Sequence, residues 1–479
     1  MKVIGDSLPR RFKAKASGAI TAGKPLIVQA DGDVAQVAAS AAASGTAVVF
    51  ESASLVDTSV AYDSNAQKVV ISYNDAGNSY YGTAIVGTVD PSNNSISYGT
   101  AVVFESASTS PIVSTFDSSN NKIVIAYKDG GNSNYGTAIV GTVSGTSISF
   151  GSATVFESAN SPAIGIAFDA NAGKVVIVYS DNGNGDDGTA IVGTVSGTSI
   201  SFGSASVYET SGTTENVVVY DANAQKVVIA YKDNATFYGA ARVGTVSGTS
   251  ISFGTEVVFE SATITHLSGG YDSSAQKVVF SYQDGGNSDY GTSIVGTVSG
   301  TDISFGTAVV FESADSRVTS TTYDSNAQKV VVAYKDDANS GKVTVAEGTV
   351  SGTSISFATP VIVEEGNSNY VSSVYDSNAS RTVIAYRDGG NSDYGTAVVF
   401  KAAGITLTAE NYIGIAEYAA ADTETATVLI KGGVSTTQSS LTPGQTYFVQ
   451  RDGTIGTTAA TPSVTAGTAV TSTKLIVKG

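Results

Sequence analysis

Short runs of Val, Ile, Ala and Tyr alternate along most of this chain with turns rich in Gly, Asn, Ser and Asp. In Lys226-Val-Val-Ile-Ala-Tyr231 every position after the lysine is apolar. A strand without a polar face suits the middle of a sheet that is covered on both sides. Nowhere does the 3.6-residue apolar rhythm of an amphipathic helix appear. The elements predicted are therefore short strands joined by tight turns, an all-β chain.

The runs belong to a larger repeat. Tyr62-Asp63-Ser-Asn-Ala-Gln-Lys68-Val-Val-Ile-Ser-Tyr73 returns with Asp117, Asp169, Asp221, Asp272, Asp324 and Asp376 in the place of Asp63, at separations of 54, 52, 52, 51, 52 and 52 residues. Each copy holds a short variable run before its aromatic-Asp pair, then the Lys-Val-Val run. A run such as Gly136 to Val143 follows, and after a Ser-Gly-Thr turn a run such as Ser147 to Glu157. Four strands in a period of about fifty residues match a propeller blade; solenoid rungs are shorter. The expected fold is a seven-bladed β-propeller over residues 41–401.

Its closure is also predicted. Gly45-Thr-Ala-Val-Val-Phe50-Glu51 matches the fourth strand of a repeat, as in Gly306 to Glu312, yet precedes the first copy. The seventh copy stops after Phe400 without that strand. The N-terminal segment is expected to complete the last blade and leave no open edge.

Residues 1–40 and 402–479 lie outside the repeats. Thr21-Ala-Gly23-Lys-Pro-Leu-Ile-Val28-Gln29-Ala-Asp31-Gly32 parallels Thr442-Pro-Gly444-Gln-Thr-Tyr-Phe-Val449-Gln450-Arg-Asp452-Gly453. Asp-Gly between apolar runs signals a hairpin in each. The two ends are expected to form one small discontinuous β domain, with the propeller inserted in it.

Charge and composition narrow the function. The chain carries 42 acidic and 25 basic residues, a net charge of -17, which disfavours nucleic acid. The basic start (Lys2, Arg10, Arg11, Lys13, Lys15) is read as an exposed arm, since no apolar run of signal-peptide length follows it. No stretch is apolar enough to span a membrane. With no cysteine there are no disulfides, thiolate zinc sites or thiol nucleophile.

Comparing the copies separates two kinds of loop. The Asp63 to Lys68 loop and the Ser-Gly-Thr turn hardly change. The loops after the second strand (Asn74 to Tyr81, Ser180 to Asp187, Lys232 to Tyr238) and after the fourth (Ser54 to Asp57, Ser211 to Glu215, Thr263 to His266) change a great deal. In an up-and-down blade the two variable loops share one end. Candidate binding residues there are Tyr80, Tyr135, Asp186, Glu215, Phe237, Tyr238, His266, Tyr290, Arg317, Tyr370 and Tyr394, aromatics and polar groups suited to stacking on sugar rings and bonding their hydroxyls. Drift in unconstrained loops would give the same variation.

The recurring series have a plainer reading. Asp75, Asp129, Asp181, Asp233, Asp284, Asp336 and Asp388 are expected to accept backbone N–H bonds in their own loops. The Glu51 series and the Lys68 series are expected to serve turns and contacts between repeats. Asp284-Gly-Gly-Asn287-Ser-Asp289 spaces three oxygen side chains loosely like a calcium loop, but a turn explains it, and no metal or cofactor is expected. Catalysis is not expected either. The only histidine, His266, has no recurrent nucleophile beside it, although Glu215, Asp186 and Asp187 leave a paired-carboxylate glycosidase open.

Two sets of phrases carry a resemblance. Gly414-Ile-Ala-Glu-Tyr-Ala-Ala420, Val428-Leu-Ile-Lys-Gly-Gly-Val434, Leu441 to Ile455 and Lys474 to Gly479, with Ile20 to Val34, resemble the small β domains of tailed-bacteriophage virion proteins. The repeats, with phrases such as Lys128-Asp-Gly-Gly-Asn-Ser133, look like those of phage structural proteins of the marine type. The resemblance implies a non-enzymatic virion protein, displayed on the particle as head decoration, fibre or tail component. Residues 1–40 and 402–479 would meet other virion proteins. The alternative is an adhesin that contacts a host glycan or receptor through the variable end.

Overall fold

The computed structural model describes residues 10–478 apart from 30, 406, 408, 409, 451, 461 and 462. It divides into two compact units, Ala42–Ala402, and Met1–Ala41 with Ala403–Gly479. Among the described residues no helix is long and apolar enough to cross a membrane.

In the repeat unit the second repeat illustrates the pattern. Its inner strand, the end of Val102–Asp117, pairs antiparallel with Lys122–Asp129, which pairs with Tyr135–Ser144. The outer edge consists of two short strands, Ser147–Phe150 and Thr154–Asn160, both on Tyr135–Ser144. The same pairings recur around Asp169, Asp221, Asp272 and Asp324. In repeat 7, Tyr394–Lys401 has its outer partner in the N-terminal segment, with Phe400 opposite Ser44 and Ala397 opposite Val48.

The single outer run expected from Ser147 to Glu157 is broken at Gly151, for a steric reason. A Cβ on Gly151 would lie 1.9 Å from the carbonyl oxygen of Thr198, in the turn of the next repeat. Gly45, Gly99, Gly203, Gly254 and Gly306 meet the next repeat's turn at 1.8–1.9 Å, Gly45 doing so against Asn94 of repeat 1. The position is Ala358 in repeat 6, whose neighbour, repeat 7, lacks that turn because the chain leaves the unit there.

The second strands are buried on both faces, and their tyrosines (Tyr73, Tyr127, Tyr179, Tyr231, Tyr282, Tyr334, Tyr386) are wholly enclosed. Six of the phenols donate to the glutamate on the outer strand of the preceding repeat, from Tyr73 to Glu51 at 3.0 Å through Tyr386 to Glu364 at 2.8 Å. Tyr231 lies 3.3 Å from its Glu209 and donates at 2.6 Å to Glu256, just ahead of the outer strand Val257–Glu260 of its own repeat. A buried hydroxyl needs such a partner, and the six bonds to the preceding repeat tie adjacent repeats together.

The terminal unit holds two five-stranded sheets. One runs in spatial order Arg11–Lys15, Thr425–Leu429, Tyr412–Ala416, Pro25–Val28, Val34–Gln36; the other runs Val434–Ser435, Lys474–Val477, Thr465–Thr471, Thr446–Val449, Ile455–Gly456. In chain order these are the same motif, first, fifth, fourth, second, third. The repeats interrupt the first copy between its third and fourth strands. Matching glycines mark the equivalence: Gly414 and Gly467 each press on a carbonyl of the fifth strand, at 2.1 and 2.3 Å from a built Cβ. Both Asp-Gly hairpins are present, with Leu26 opposite Gln36 and Phe448 opposite Gly456. One apolar cluster, including Ile27, Ile415, Leu429, Tyr447, Val449 and Leu475, draws on both sheets.

The basic start is not a free arm. Lys2 lies outside the described residues, but Arg11–Lys15 is an edge strand paired along its length with Thr425–Leu429. Arg11 pairs with Glu417, and Lys15 lies 3.1 Å from Asp33.

Candidate functional site

Ten of the eleven candidate residues fall at three repeated positions and Arg317 stands one residue before the third, all at the end of the repeat unit that carries the variable loops. The first is the tip of the loop after the second strand, occupied by Tyr80, Asn134, Asp186, Phe237, Asp289, Gly341 and Asp393, each with positive φ. The loop aspartate sets this backbone. Its carboxylate accepts an N–H from the 3-10 turn, as Asp75 does from Asn78 and Asp284 from Gly286, while its carbonyl accepts the N–H of the tip residue. The tip carbonyl in turn accepts from the next corner, Asp186 from Thr213 and Phe237 from Ile264. Backbone does the structural work on both sides, so the tip side chain is released to vary.

Next in sequence comes the first residue of the third strand, where Tyr135, Tyr290 and Tyr394 stand half-buried; Tyr238 follows Phe237 just ahead of that strand. These rings are partly engaged in packing. The tip rings are the most exposed: Tyr80 is 49% and Phe237 51% accessible, followed by Tyr238 at 36%.

The third position was not recognised from sequence. Six residues before each aromatic-Asp aspartate the chain turns a corner at the head of the inner strand, at Asp57, Pro111, Ala163, Glu215, His266, Val318 and Tyr370; in every repeat but the third, whose inner strand starts at Gly165, the pairing is bulged there. All but the proline have φ between 51° and 67°. A non-glycine residue in that region costs on the order of 1 kcal/mol, and bulges of this kind re-aim side chains at binding sites. The seven corner residues share no chemistry, which is why their common spacing was the only signal.

Bonds between repeats hold this collar. Where the next residue is polar it donates to the preceding repeat, as Asn216 does to the Ala163 carbonyl at 2.9 Å and Thr58 to the Tyr370 carbonyl at 2.5 Å. Where it is apolar, a carboxylate of the preceding collar takes its N–H: Asp57 accepts from Ile112 at 2.9 Å, and Glu215 from Leu267 at 3.3 Å. Burial pushes the Asp57 carboxyl up to about 6. Burial likewise lowers His266, against the pull of Glu215.

Polar groups gather on one arc, repeats 4 to 7. Arg317, just before the collar, bridges Asp315 at 2.8 Å and Asp337 at 3.0 Å; Lys335 joins Asp337 at 3.0 Å and Asn369 at 3.4 Å. The Arg387 guanidinium sits 5.0 Å from the Tyr370 ring centre. Below the collar lies a cavity of about 240 Å³, to which the inner strands of all seven repeats contribute and which is rich in hydroxyls, among them Ser59, Ser114, Ser268 and Ser373.

The exposed Phe237 and Tyr238 form a separate locus. At the seam of repeats 3 and 4, Gly212 faces both Asn234 and the Asp186 carbonyl. Asp233 there binds Ser211 at 2.7 Å and Thr236 at 2.8 Å, beside Phe237 and Tyr238. Tyr80 lies in repeat 1, which is not a neighbour of this seam. Among the described residues no group of three or more His, Asp or Glu side chains is placed to hold a metal ion.

No protein-family model matches the chain, and no curated protein sequence matches it. Among solved structures, the BP39L lectin from Burkholderia pseudomallei is similar with a TM-score of 0.53 and 11% identity, over 74% of this chain and 98% of that one. The periplasmic gluconolactonase PpgL of Pseudomonas aeruginosa matches at TM-score 0.48 and 9% identity, over 74% and 97%. The Dos1 propeller matches at 0.47 and 12%, over 75% and 95%. The neighbours are β-propeller proteins; the likeness to the lectin shows that fold, and the two lower scores carry no argument.

Proposed function

We propose that this chain is a non-enzymatic, glycan-binding display protein. In this reading residues 42–402 form a closed seven-bladed propeller whose last blade takes its outer strand from the N-terminal segment. The contact of Gly45 with Asn94, which has counterparts at five other seams, and the bond from Tyr73 to Glu51, which repeats the tyrosine–glutamate contact of the other seams, support closure.

The observation that carries the function is the pair Phe237 and Tyr238 with Tyr80. Large aromatic rings stand exposed on backbone that the loop itself holds rigid, next to hydroxyl, amide and carboxylate groups. Rings of this kind stack on sugar faces, and the polar neighbours take hydroxyls. That the propeller of BP39L belongs to a lectin makes glycans the first ligand class to test. Glu215 supports binding over hydrolysis, because its carboxylate already accepts the Leu267 N–H.

The carrier in this proposal is a phage particle, with the terminal unit attached to other virion proteins and the host surface supplying the glycan. The support for that part is the resemblance of the terminal segments and repeats to phage virion proteins.

A glycan array and intact host cells probed with the full chain test the reading. Binding is expected, and Phe237→Ala with Tyr80→Ala should weaken it by about tenfold or more, each stacked ring contributing about 1 kcal/mol. Absence of any bound glycan, or binding indifferent to both substitutions, removes the proposal. Turnover of a polysaccharide that disappears in Glu215→Gln would replace it with an enzyme.

A further inference from the structure

The terminal unit contains a cavity of about 620 Å³ lined by Tyr412, Lys431, Thr446, Ser463, Val464, Thr465 and Lys478. Its only charged lining groups among the described residues are two lysines. Every other polar side chain there is a hydroxyl, and no carboxylate takes part, in a chain with 42 acidic and 25 basic residues. Neither lysine forms an ion pair among the described residues.

The duplication of the motif explains why the lysines come as a pair. Val428-Leu-Ile-Lys431-Gly432 ends the fifth strand of the first copy as Leu475-Ile-Val-Lys478-Gly479 ends that of the second. Tyr412 opens the fourth strand of the first copy where Thr465 opens that of the second. Equivalent positions of the two copies thus converge on one cavity. Each chain position is ordinary alone; together they set two ammonium groups around a space large enough for a small ligand. Like charges sharing a cavity repel, and an anion between them relieves that repulsion.

The remaining donors fit the same ligand. Burial keeps the Tyr412 phenol protonated, and its only bond among the described residues, to the Ala466 carbonyl, is long at 3.5 Å, so its hydroxyl can turn to a guest. Thr446, Thr465 and Ser463 add hydroxyls to the wall. We propose that this cavity is an oxyanion site, taking a phosphate or carboxylate group between Lys431 and Lys478 with hydroxyl donors around it. The group can come from a small solute or from an acidic side chain of a partner protein; the chemistry is shared.

The test is a titration of inorganic phosphate against the full chain, followed by ³¹P NMR at constant ionic strength, with a Glu-rich hexapeptide as competitor. Saturable binding at one site is expected. Lys431→Met with Lys478→Met should weaken it about tenfold, since two partly solvated ion pairs are lost. Lys→Arg at both positions should restore it, and far-UV circular dichroism should be unchanged throughout because both lysines are exposed. Displacement of phosphate by the hexapeptide identifies a partner's acidic side chain as the better guest; failure to displace it identifies the small solute. Phosphate that does not saturate, or that binds the double Met variant as it binds the parent chain, overturns the site.

Discussion

Arg381 reaches across the seam from repeat 7 to repeat 1: its Nε donates to Asn94 Oδ1 at 2.5 Å, and its Nη2 to the Pro91 carbonyl at 2.8 Å. Every other repeat has lysine in this place, and every other turn of this kind between complete repeats is Ser-Gly-Thr rather than Asp90-Pro-Ser-Asn-Asn94. The two exceptions meet where the N-terminal strand joins the last repeat. A lysine has no planar fork to satisfy both acceptors. Arg381→Lys is expected to lower stability by about 1–2 kcal/mol in urea unfolding, whereas Lys174→Arg, at an interior seam, should change it little. Equal effects at both sites would remove the special role given to this seam.

The glycine cradle makes predictions of very different size at two equivalent positions. Gly151→Ala forces a methyl group into the Thr198 carbonyl and should cost about 3 kcal/mol or prevent folding. Ala358→Gly removes a methyl group where the next repeat presents no such turn, and should cost no more than about 1 kcal/mol. Thermal unfolding of the two variants checks the contrast.

Repeat 4 alone places a cation in the interior of its third strand; Lys342 and Lys401 stand at the ends of theirs. Arg242 lies 3.6 Å from Glu209 and 3.5 Å from Glu256, and Tyr231 donates to Glu256 at 2.6 Å. Burial and then the neighbouring Glu209 raise the Glu256 carboxyl; burial would raise Glu209 too, but hydrogen bonds from Glu256 and Ser211 hold it low. A carboxyl raised in the folded state contributes stability that is lost as pH climbs through its folded pKa. Arg242→Ile should therefore destabilise by about 1–2 kcal/mol at pH 7 and much less near pH 4. The double variant with Glu256→Ala, which restores the residues typical of the other repeats, should lose that pH dependence. A single variant equally stable at both pH values contradicts this account.

Asp57 supplies a second pH dependence. With its folded carboxyl near 6 and the unfolded value near 4, the native state binds the extra proton, so stability should decline as pH rises between those values. Asp57→Asn keeps an acceptor for the Ile112 N–H, removes the titration and should raise stability at pH 7 by about 1–2 kcal/mol. Urea midpoints from pH 4 to 7 give the slope; a parent chain that gains stability over this range refutes the assignment.

Much of the local structure was legible. Asp75 and its six counterparts could be read as turn formers because an aspartate two or three residues before a free N–H accepts the same bond wherever it stands, as Asp284 does from Gly286 and Asp75 from Asn78. The Asp31-Gly32 and Asp452-Gly453 hairpins follow from local backbone preference in the same way. The Glu51 series read as contacts between repeats, and the tyrosine that receives each glutamate became visible only in three dimensions. The collar was harder. Asp57, Pro111, Ala163, Glu215, His266, Val318 and Tyr370 have nothing in common but a count of six residues to the next aspartate, and positive φ at six of them is imposed by the pairing on either side. Similarly, the lysine at 431 and the lysine at 478 look like two surface charges until the duplicated motif brings their strand ends to one cavity.

By itself the sequence determined the strand period, the turn chemistry and the division between constant and variable loops, because these depend on interactions within a few residues. The tertiary structure alone decided that Arg11–Lys15 is an edge strand, that Gly151 must lack a side chain, and which variable residues stand exposed rather than packed. Those outcomes depend on what a neighbouring repeat or sheet brings to the same space, and no local pattern of hydrophobic and polar residues records that.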